Sequence, residues 1–367
     1  GRAGQHEEAA RNMLDLLIPD SRPFLSLRAP ASALDLLERL LAGERRTEEA
    51  LVVRELRALT GTLDDANQLR LRGRRLAFDA QSTDPLDRAT LVAAVLPPEG
   101  RHVLLDVAHA LSGCEGKLFR SNAHELGVSS RDRVGARSGH PLRTLFDRIS
   151  WLLRLPETEL YVSEAVVYTR VISQDVPWVV FPQSQLDAPE SRQLASLGRA
   201  LTRVALGVPW IEDLPPQHVH ALLTAAGRHG NSSYGYDIRD RQLADLMSEY
   251  EPRVARAIGR KQRKLLADLS HHLDAPAGAS LQEVEAMIRA ISLAELRVAF
   301  LITGDLLATL DELRSFDPHF AHALSTADEY TVAAIFSHPL AGDLARFALT
   351  KEATALRWRM GSIWGRA

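Results

Sequence analysis

The stretch "LDAPESRQLASLGRALTRVALGV" at residues 186–208 carries the signals of a complete helix. Asp187 and Glu190 have the spacing of a reciprocal N-terminal cap, and Pro189 lies in a first turn that needs no backbone donor. Gly207 is placed to end the helix, because glycine readily adopts the left-handed conformation found there. We therefore predict one helix between these two signals.

The predicted helix has two different faces. Apolar side chains recur at helical spacing on one face, at Leu194, Leu197, Leu201 and Val204. Arginines occupy the opposite face, at Arg192, Arg199 and Arg203. The apolar face predicts packing, whereas the arginine face is either a solvated stripe or points into a cleft.

Composition indicates an ordinary globular protein of two domains. The chain has 367 residues, of which 46% are hydrophobic and 25% charged. No apolar run reaches the roughly 20 residues that span a bilayer, so we expect no membrane span, and the first residues contain no hydrophobic signal core. The single cysteine, Cys114, excludes internal disulfides and a cysteine-based zinc site, and agrees with a cytoplasmic location.

The charge pattern argues against nucleic acid as a partner. The net charge is −3, and a nucleic-acid-binding surface normally brings a basic excess. Among the 44 basic residues only Lys117, Lys261, Lys264 and Lys351 are lysines, a bias typical of a GC-rich genome. The chain begins with Gly1 and not with methionine, so we expect it to be part of a longer protein.

Periodicity divides the chain into a helical region at residues 1–95 and a second domain at residues 96–367. Within the first, residues 46–73 resemble one tetratricopeptide unit, and a plain helical cap is the alternative. The prolines and glycine of "LPPEGRH", residues 96–102, mark the boundary.

Residues 159–182 give the one strong strand signal. The segment "ELYVSEAVVYTRVISQDVPWVVFP" is rich in Val, Tyr, Ile and Trp and is interrupted near Gln174 and Asp175, which predicts two or three short strands with a hairpin there. We expect an α+β protein that is predominantly α-helical, with one small sheet beside the helix that ends before Gly207.

The order of strand, hairpin, "LDAPE" and "LGRALTRVALG" resembles the zincin metallopeptidases typified by HtpX and Ste24, the M48-like family. In that family the helix carries HExxH, in which two histidines bind zinc and the glutamate activates water. The resemblance implies that Arg199 and Arg203 replace the histidines and Ala200 replaces the base. The third ligand position falls on Ser292 of the later helix "RAISLAELRVAFLITGDLLATL", or on Glu295 if the register shifts.

Residues 117–357 are also similar to the C-terminal region of long tetratricopeptide-repeat proteins of myxobacteria. The similarity rests on "SGHPLRTLFDRIS", "ELYVSEA", "LASLGRALTRVALG", "ITGDL" and "RFALTKEATALRWRMG". It implies a degenerate zincin-like domain within a larger bacterial scaffold protein.

Arginine cannot replace a zinc ligand, because the guanidinium has no free lone pair and stays protonated. We therefore expect no metal, no cofactor and no catalytic residue, and a non-catalytic interaction module that binds a protein or peptide. The alternative is a hydrolase that uses the same cleft without zinc. For Arg199 and Arg203 three hypotheses stand: an ion-pair cross-link to Glu295, a pocket for an acidic peptide or anion, or the solvated stripe.

Other candidate sites are weaker. His124 and Glu125 resemble the start of a metal motif, but Val128 stands where its second histidine belongs. We interpret the remaining candidates as surface features: the histidines lack a common ligand spacing, the basic run predicts a solvated helix face, and the loop "GNSSYGYDIRD" at residues 230–240 is either a connection or a groove lining. The residues concerned are His218, His220, His229, His271, His272, Arg253, Arg256, Arg260, Lys261, Arg263 and Lys264.

Overall fold

The computed structural model describes residues 2–17, 31–59, 61, 63–72, 76–78, 84–119, 123–325 and 335–364. Helices predominate, as the sequence analysis predicts. In chain order they are α1 (Arg2–Leu17), α2 (Ala31–Gly43), α3 (Thr47–Leu59), α4 (Asp65–Arg72), α5 (Arg88–Thr90), α6 (Val103–Ala110), α7 (Glu115–Leu118), α8 (Pro141–Leu152), α9 (Glu190–Leu206), α10 (Pro216–Gly227), α11 (Arg241–Ala257), α12 (Arg260–Asp268), α13 (Leu281–Thr303), α14 (Leu306–Phe316), α15 (Pro318–Ser325), α16 (Pro339–Ala348) and α17 (Lys351–Arg359). The strands are β1 (Leu76–Phe78), β2 (Glu159–Ser163), β3 (Arg170–Ile172), β4 (Trp178–Pro182) and β5 (Ser362–Trp364).

The predicted small sheet is present and has three strands. Strand β4 lies in the centre, parallel to β2 and antiparallel to β3, and the β3–β4 hairpin turns where the sequence predicts it. On one face Tyr161 stacks on Trp178, with 4.3 Å between ring centroids. A second ladder, β1 paired with β5, was not predicted, because three-residue strands carry almost no periodic signal.

Helix α9 ends as the sequence predicts. Gly207 has a φ of +79°, and the amides of Gly207 and Val208 donate to the carbonyls of Val204 (3.1 Å) and Arg203 (2.9 Å). This pair of bonds is a Schellman motif, which satisfies carbonyls that the last helical turn leaves open. At the other end, the carbonyl of Pro189 accepts the first bonds of the helix.

The chain forms two compact units that are not continuous in sequence. Unit 1 comprises Gly1–Pro85, Ala188–Gly198 and Leu296–Ala367. Unit 2 comprises Leu86–Asp187 and Arg199–Glu295. The predicted division at residue 95 differs from this grouping, because a reading along the chain cannot find units assembled from distant segments.

Unit 1 contains α3 and α4, which form the helix–turn–helix predicted at residues 46–73. Residues 60, 62 and 73 of that stretch lie outside the described residues. The relation of this pair to a tetratricopeptide unit stays a prediction.

The later helix predicted at residues 289–310 is wrong in its bounds. It is divided between α13 and α14, because Gly304 takes a φ of +62° after Thr303 and Asp305 caps the next helix. Within the described residues, no helix has the length and apolar character needed to cross a membrane.

Candidate functional site

Arg199 lies fully buried in unit 2, in the second half of α9. Its Nη2 donates to the carbonyl oxygen of Thr169 at 2.6 Å, and its Nη1 lies 3.8 Å from Oε2 of Glu295. The guanidinium also lies over the ring of Tyr168, 5.8 Å from its centroid. Arg199 therefore connects α9 to the segment that leads into β3.

Arg203, one turn further along α9, is 7% exposed and forms a two-pronged ion pair with Glu295. Its Nε donates to Oε1 at 2.6 Å and its Nη2 to Oε2 at 3.1 Å. Its Nη1 donates to Glu212, which follows the end of α9. Two cations and two carboxylates thus meet in one cluster, in which Glu212 alone is partly exposed. We call it the arginine–glutamate cluster: Arg199, Arg203, Glu212 and Glu295.

The charges in this cluster stabilise one another. Burial acts to lower the pKa of Arg203, but Glu295 and Glu212 outweigh it and raise that pKa. Burial acts to raise the pKa of Glu212, but Arg203 and Arg199 outweigh it and lower that pKa. Both shifts favour the charged forms of Arg203 and Glu212, as expected of ions that are paired where they are buried.

The structure brings most of the predicted site residues together. The ion pair that the family register suggested between Arg203 and Glu295 is present, and Ala200 is buried beside them on α9. Ser292 is not part of the cluster contacts: its hydroxyl donates to the carbonyl of Ile288 on its own helix at 3.3 Å.

The solvated-stripe hypothesis is wrong for Arg199 and Arg203. The predicted apolar face of α9 is buried as expected, but the helix is buried on the arginine side as well from Leu194 onward. Burial on both sides is possible because carboxylates and a backbone carbonyl meet the guanidinium groups. Arg192 alone keeps a partly exposed side chain and pairs with Asp311.

An open cleft of about 1280 Å³ lies elsewhere in unit 2. Neither Arg199 nor Arg203 lines it, so those two arginines do not form the predicted anion pocket. Its walls come from α7, the turn that carries Glu125, the residues just after β3, the segment after α9 and the C-terminal half of α11. The charged and hydroxyl-bearing residues that line it are Lys117, Glu125, Ser173, Asp213, Tyr250, Arg253 and Arg256.

Glu115 lies beside the cleft at the start of α7 and is 3% exposed. Its Oε2 accepts a hydrogen bond from the amide of Gly113 at 2.6 Å. Burial raises the pKa of Glu115 to about 7, and the nearby carboxylate of Asp175 adds to that rise. Glu115 is therefore partly protonated at neutral pH.

The weaker candidates do not assemble into a site. His124 is exposed and lies in a turn, not on a helix that could present a metal motif. His271 and His272 are exposed in a short helical turn. His220 is buried, so the prediction that it is a surface histidine is wrong. A hydrogen bond between its Nε2 and the carbonyl oxygen of Ala279, at 2.7 Å, satisfies the ring in the interior. Burial lowers its pKa.

The structure also bears on the basic run and on the loop at residues 230–240. The basic run is not one helix: Ile258 and Gly259 separate α11 from α12, and of its basic residues only Arg253 and Arg256 line the cleft. The loop at residues 230–240 is a connection, since Tyr234 is buried with its hydroxyl bonded to the amide of Ala279, and Tyr236 is exposed away from the cleft lining.

Within the part of the chain that the structure describes, no group of three or more His, Cys, Asp or Glu side chains is arranged to hold a metal ion. In comparisons with family models, curated proteins and solved structures, nothing matches this chain. These comparisons therefore add nothing to what the residues and their geometry indicate about the site.

Sequence reasoning missed Glu212 and the cleft. The sequence did contain a signal for Glu212. The acidic pair in "WIEDLPP" comes a few residues after Gly207, close enough to the end of the helix for one carboxylate to pair with Arg203. The cleft had no signal, because its lining comes from five separate segments.

Proposed function

We propose that this chain is a non-catalytic, zincin-like domain that binds a protein or peptide as part of a larger tetratricopeptide-type scaffold. The observation that carries the proposal is the bidentate pair between Arg203 and Glu295. Arg203 stands where the resemblance places the second histidine, and Glu295 stands where it places the third ligand if the register shifts from Ser292 by one turn.

The pair removes the chemistry that a zincin needs. Both oxygens of Glu295 accept bonds from Arg203, so this carboxylate is engaged and not open to a metal. The fixed positive charges of Arg199 and Arg203 would repel a divalent cation, and Ala200 offers no base. An ion pair that ties two helices together serves structure, as zinc does in closed sites.

The cleft offers the space for a partner. Ser173 and Gln174, which follow β3, line it together with helix residues, so a peptide there would lie against the end of the small sheet. The single thiol of Cys114 is buried and free, which suits our proposal of a cytoplasmic location.

The alternative, a hydrolase without zinc, needs a nucleophile held by a base. Ser173 is the nucleophile-type side chain of the cleft, and its hydroxyl bonds to no described residue. Nothing described in the cleft therefore activates it, which favours binding over catalysis.

Metal analysis and peptide binding test the proposal together. We expect purified protein to hold no stoichiometric zinc after dialysis and to leave casein intact, while a peptide library yields saturable ligands. Proteolysis that a chelator abolishes, and that substitutions on α9 also abolish, would show a working peptidase and overturn the proposal.

A further inference from the structure

The cleft of unit 2 carries an excess of positive charge. Lys117 from α7 and Arg253 and Arg256 from α11 all line it, and all three are exposed. Arg253 and Arg256 are three residues apart, so they project from the same side of their helix. Arg253 lies over the ring of Tyr250, 5.6 Å from the centroid.

The carboxylates of the lining do not balance these cations. Asp213 is already paired with Arg170 at 3.1 Å, which leaves Glu125 as the second acidic side chain of the lining. Asp175 lies nearby but packs against Gly116 outside the lining. The lining thus has one more cation than carboxylates, in a protein whose net charge is −3.

Ser173 provides an independent sign of a ligand. Its side chain is 5% exposed, lines the cleft, and places a hydroxyl that has no hydrogen-bond partner among the described residues. Buried polar groups are nearly always bonded, so a hydroxyl of this kind calls for a partner. The main chain of a bound peptide supplies both donors and acceptors at such a position.

We propose that the cleft binds an acidic peptide segment, whose carboxylates pair with Lys117, Arg253 and Arg256 while Ser173 bonds its main chain. The inference rests on the proposed function and names the chemistry of the partner. The cleft volume of about 1280 Å³ exceeds the roughly 300–1,000 Å³ of small-molecule pockets, which fits an extended peptide.

A peptide fits this cleft better than a nucleic acid does. Binding of single strands needs aromatic rings free to stack with bases. Tyr250 is buried, Arg253 covers its ring, and its hydroxyl is 3.0 Å from Nδ1 of His218. Phe119, the other aromatic residue of the lining, is partly buried and packs against Trp210, with 5.5 Å between ring centroids. Each aromatic ring of the described lining thus already contacts a neighbouring side chain, which disfavours stacking on bases.

The test is fluorescence anisotropy with three labelled decapeptides that differ only in carrying Glu, Gln or Lys at alternate positions. We expect the Glu peptide alone to bind saturably and to weaken with rising salt. The double substitution Arg253→Ala and Arg256→Ala should weaken it by about tenfold, the loss of two modest ion pairs. Both side chains are exposed, so thermal unfolding should be unchanged.

Arg260→Ala with Lys264→Ala is the matched control. These two residues are exposed on α12, belong to the same basic run and lie outside the cleft lining, so their removal changes net charge equally. We expect less than about a twofold effect, since charges beyond a Debye length are screened. Ser173→Ala should weaken the Glu peptide by about threefold at every salt concentration.

Several results would overturn the inference. The first is that the Gln peptide binds as tightly as the Glu peptide. The second is that the Arg253 and Arg256 substitutions leave the affinity for the Glu peptide unchanged. The third is that an equal concentration of an oligothymidylate displaces the Glu peptide. If a neutral or basic peptide binds and the Glu peptide does not, the inference fails while the proposed function stands. If neither these peptides nor the library yields a ligand, both fail.

Discussion

Two guanidinium groups one helical turn apart, Arg199 and Arg203, are buried in unit 2 because oxygen atoms surround them. Thr169 supplies a carbonyl to the first, and Glu295 and Glu212 supply carboxylates to the second. Burial of an ion costs several kcal/mol unless such partners are present, so the four charged groups depend on one another. Removing one exposes the others to that cost.

We expect Arg203→Met to lower the free energy of unfolding by about 3–5 kcal/mol, because buried Glu295 loses the two hydrogen bonds from Arg203 and keeps only the longer contact with Arg199, at 3.8 Å. Methionine keeps the aliphatic stem, so the change isolates the charge. The matched control is Arg192→Met on the same helix, where a partly exposed pair with Asp311 should cost less than about 1 kcal/mol.

Urea unfolding measures both variants. Equal, small losses would mean that the buried pair is no stronger than the surface pair and would contradict the cross-link hypothesis. Lost peptide binding at unchanged stability would instead indicate that Arg203 contacts the ligand.

The raised pKa of Glu115 predicts that the free energy of unfolding falls as pH rises. Its pKa in the folded protein is raised from 4.5 to about 7, so folding favours its protonated form. The stabilisation is complete below about pH 4.5 and is lost as pH rises through about 7; its size is on the order of 3 kcal/mol.

The variant Glu115→Gln should therefore lose less stability than the parent between about pH 5 and 8, because the amide stays neutral. Unfolding free energies at several pH values measure the two slopes. Parallel slopes for parent and variant would show that Glu115 does not titrate in this window.

The end of α9 illustrates how one element is bounded. The left-handed conformation of Gly207 turns the chain back so that two amides reach the last carbonyls. The chain then enters the segment that carries Trp210, Glu212 and Asp213. The helix end therefore places an acidic pair next to Arg203 and the cleft.

We expect Gly207→Ala to lower the free energy of unfolding by at least about 1–2 kcal/mol, because an L side chain is strained at this φ. The added methyl would also come within 2.6 Å of Nδ1 of His109. Gly135→Ala is the control, because open space surrounds that position. Thermal unfolding should separate the two, and equal melting temperatures would contradict the role of the helix end.

At the level of the whole chain, unit 1 is assembled from three separate segments. Contacts between them are specific: Oε2 of Glu55 accepts the amide of Leu306 at 3.0 Å, and buried Arg357 pairs with Glu48 at 3.2 Å. Nη2 of Arg46 donates to the carbonyl of Leu349 at 3.0 Å. The C-terminal helices of unit 1 thus depend on residues near the N-terminus.

A chain cut to residues 86–367, which keeps all of unit 2, should therefore lose the fold of unit 1, although the sequence analysis placed the domain boundary only ten residues further on, at residue 96. We expect amides of α14 and α16 to exchange with solvent orders of magnitude faster than in the full chain. Hydrogen exchange with mass spectrometry measures this, using the amides of α10 in unit 2 as the reference. Unchanged protection in α14 and α16 would show that they fold without the first segment.

Local features were predictable from the chain itself. The end of α9 at Gly207, the hairpin near Asp175 and the burial of Leu194, Leu197, Leu201 and Val204 follow from backbone preference and periodicity. These signals act between residues within a few positions of one another, so they are written in the sequence.

Tertiary structure alone decided the rest. Glu295 lies 92 residues from Arg203, the central position of β4 depends on strand pairing, and the cleft is lined by five separate segments. Sequence periodicity assigned the arginines to a face but not to a partner, because a charged face is stable either in water or against carboxylates. Only folding brings those carboxylates within hydrogen-bond distance.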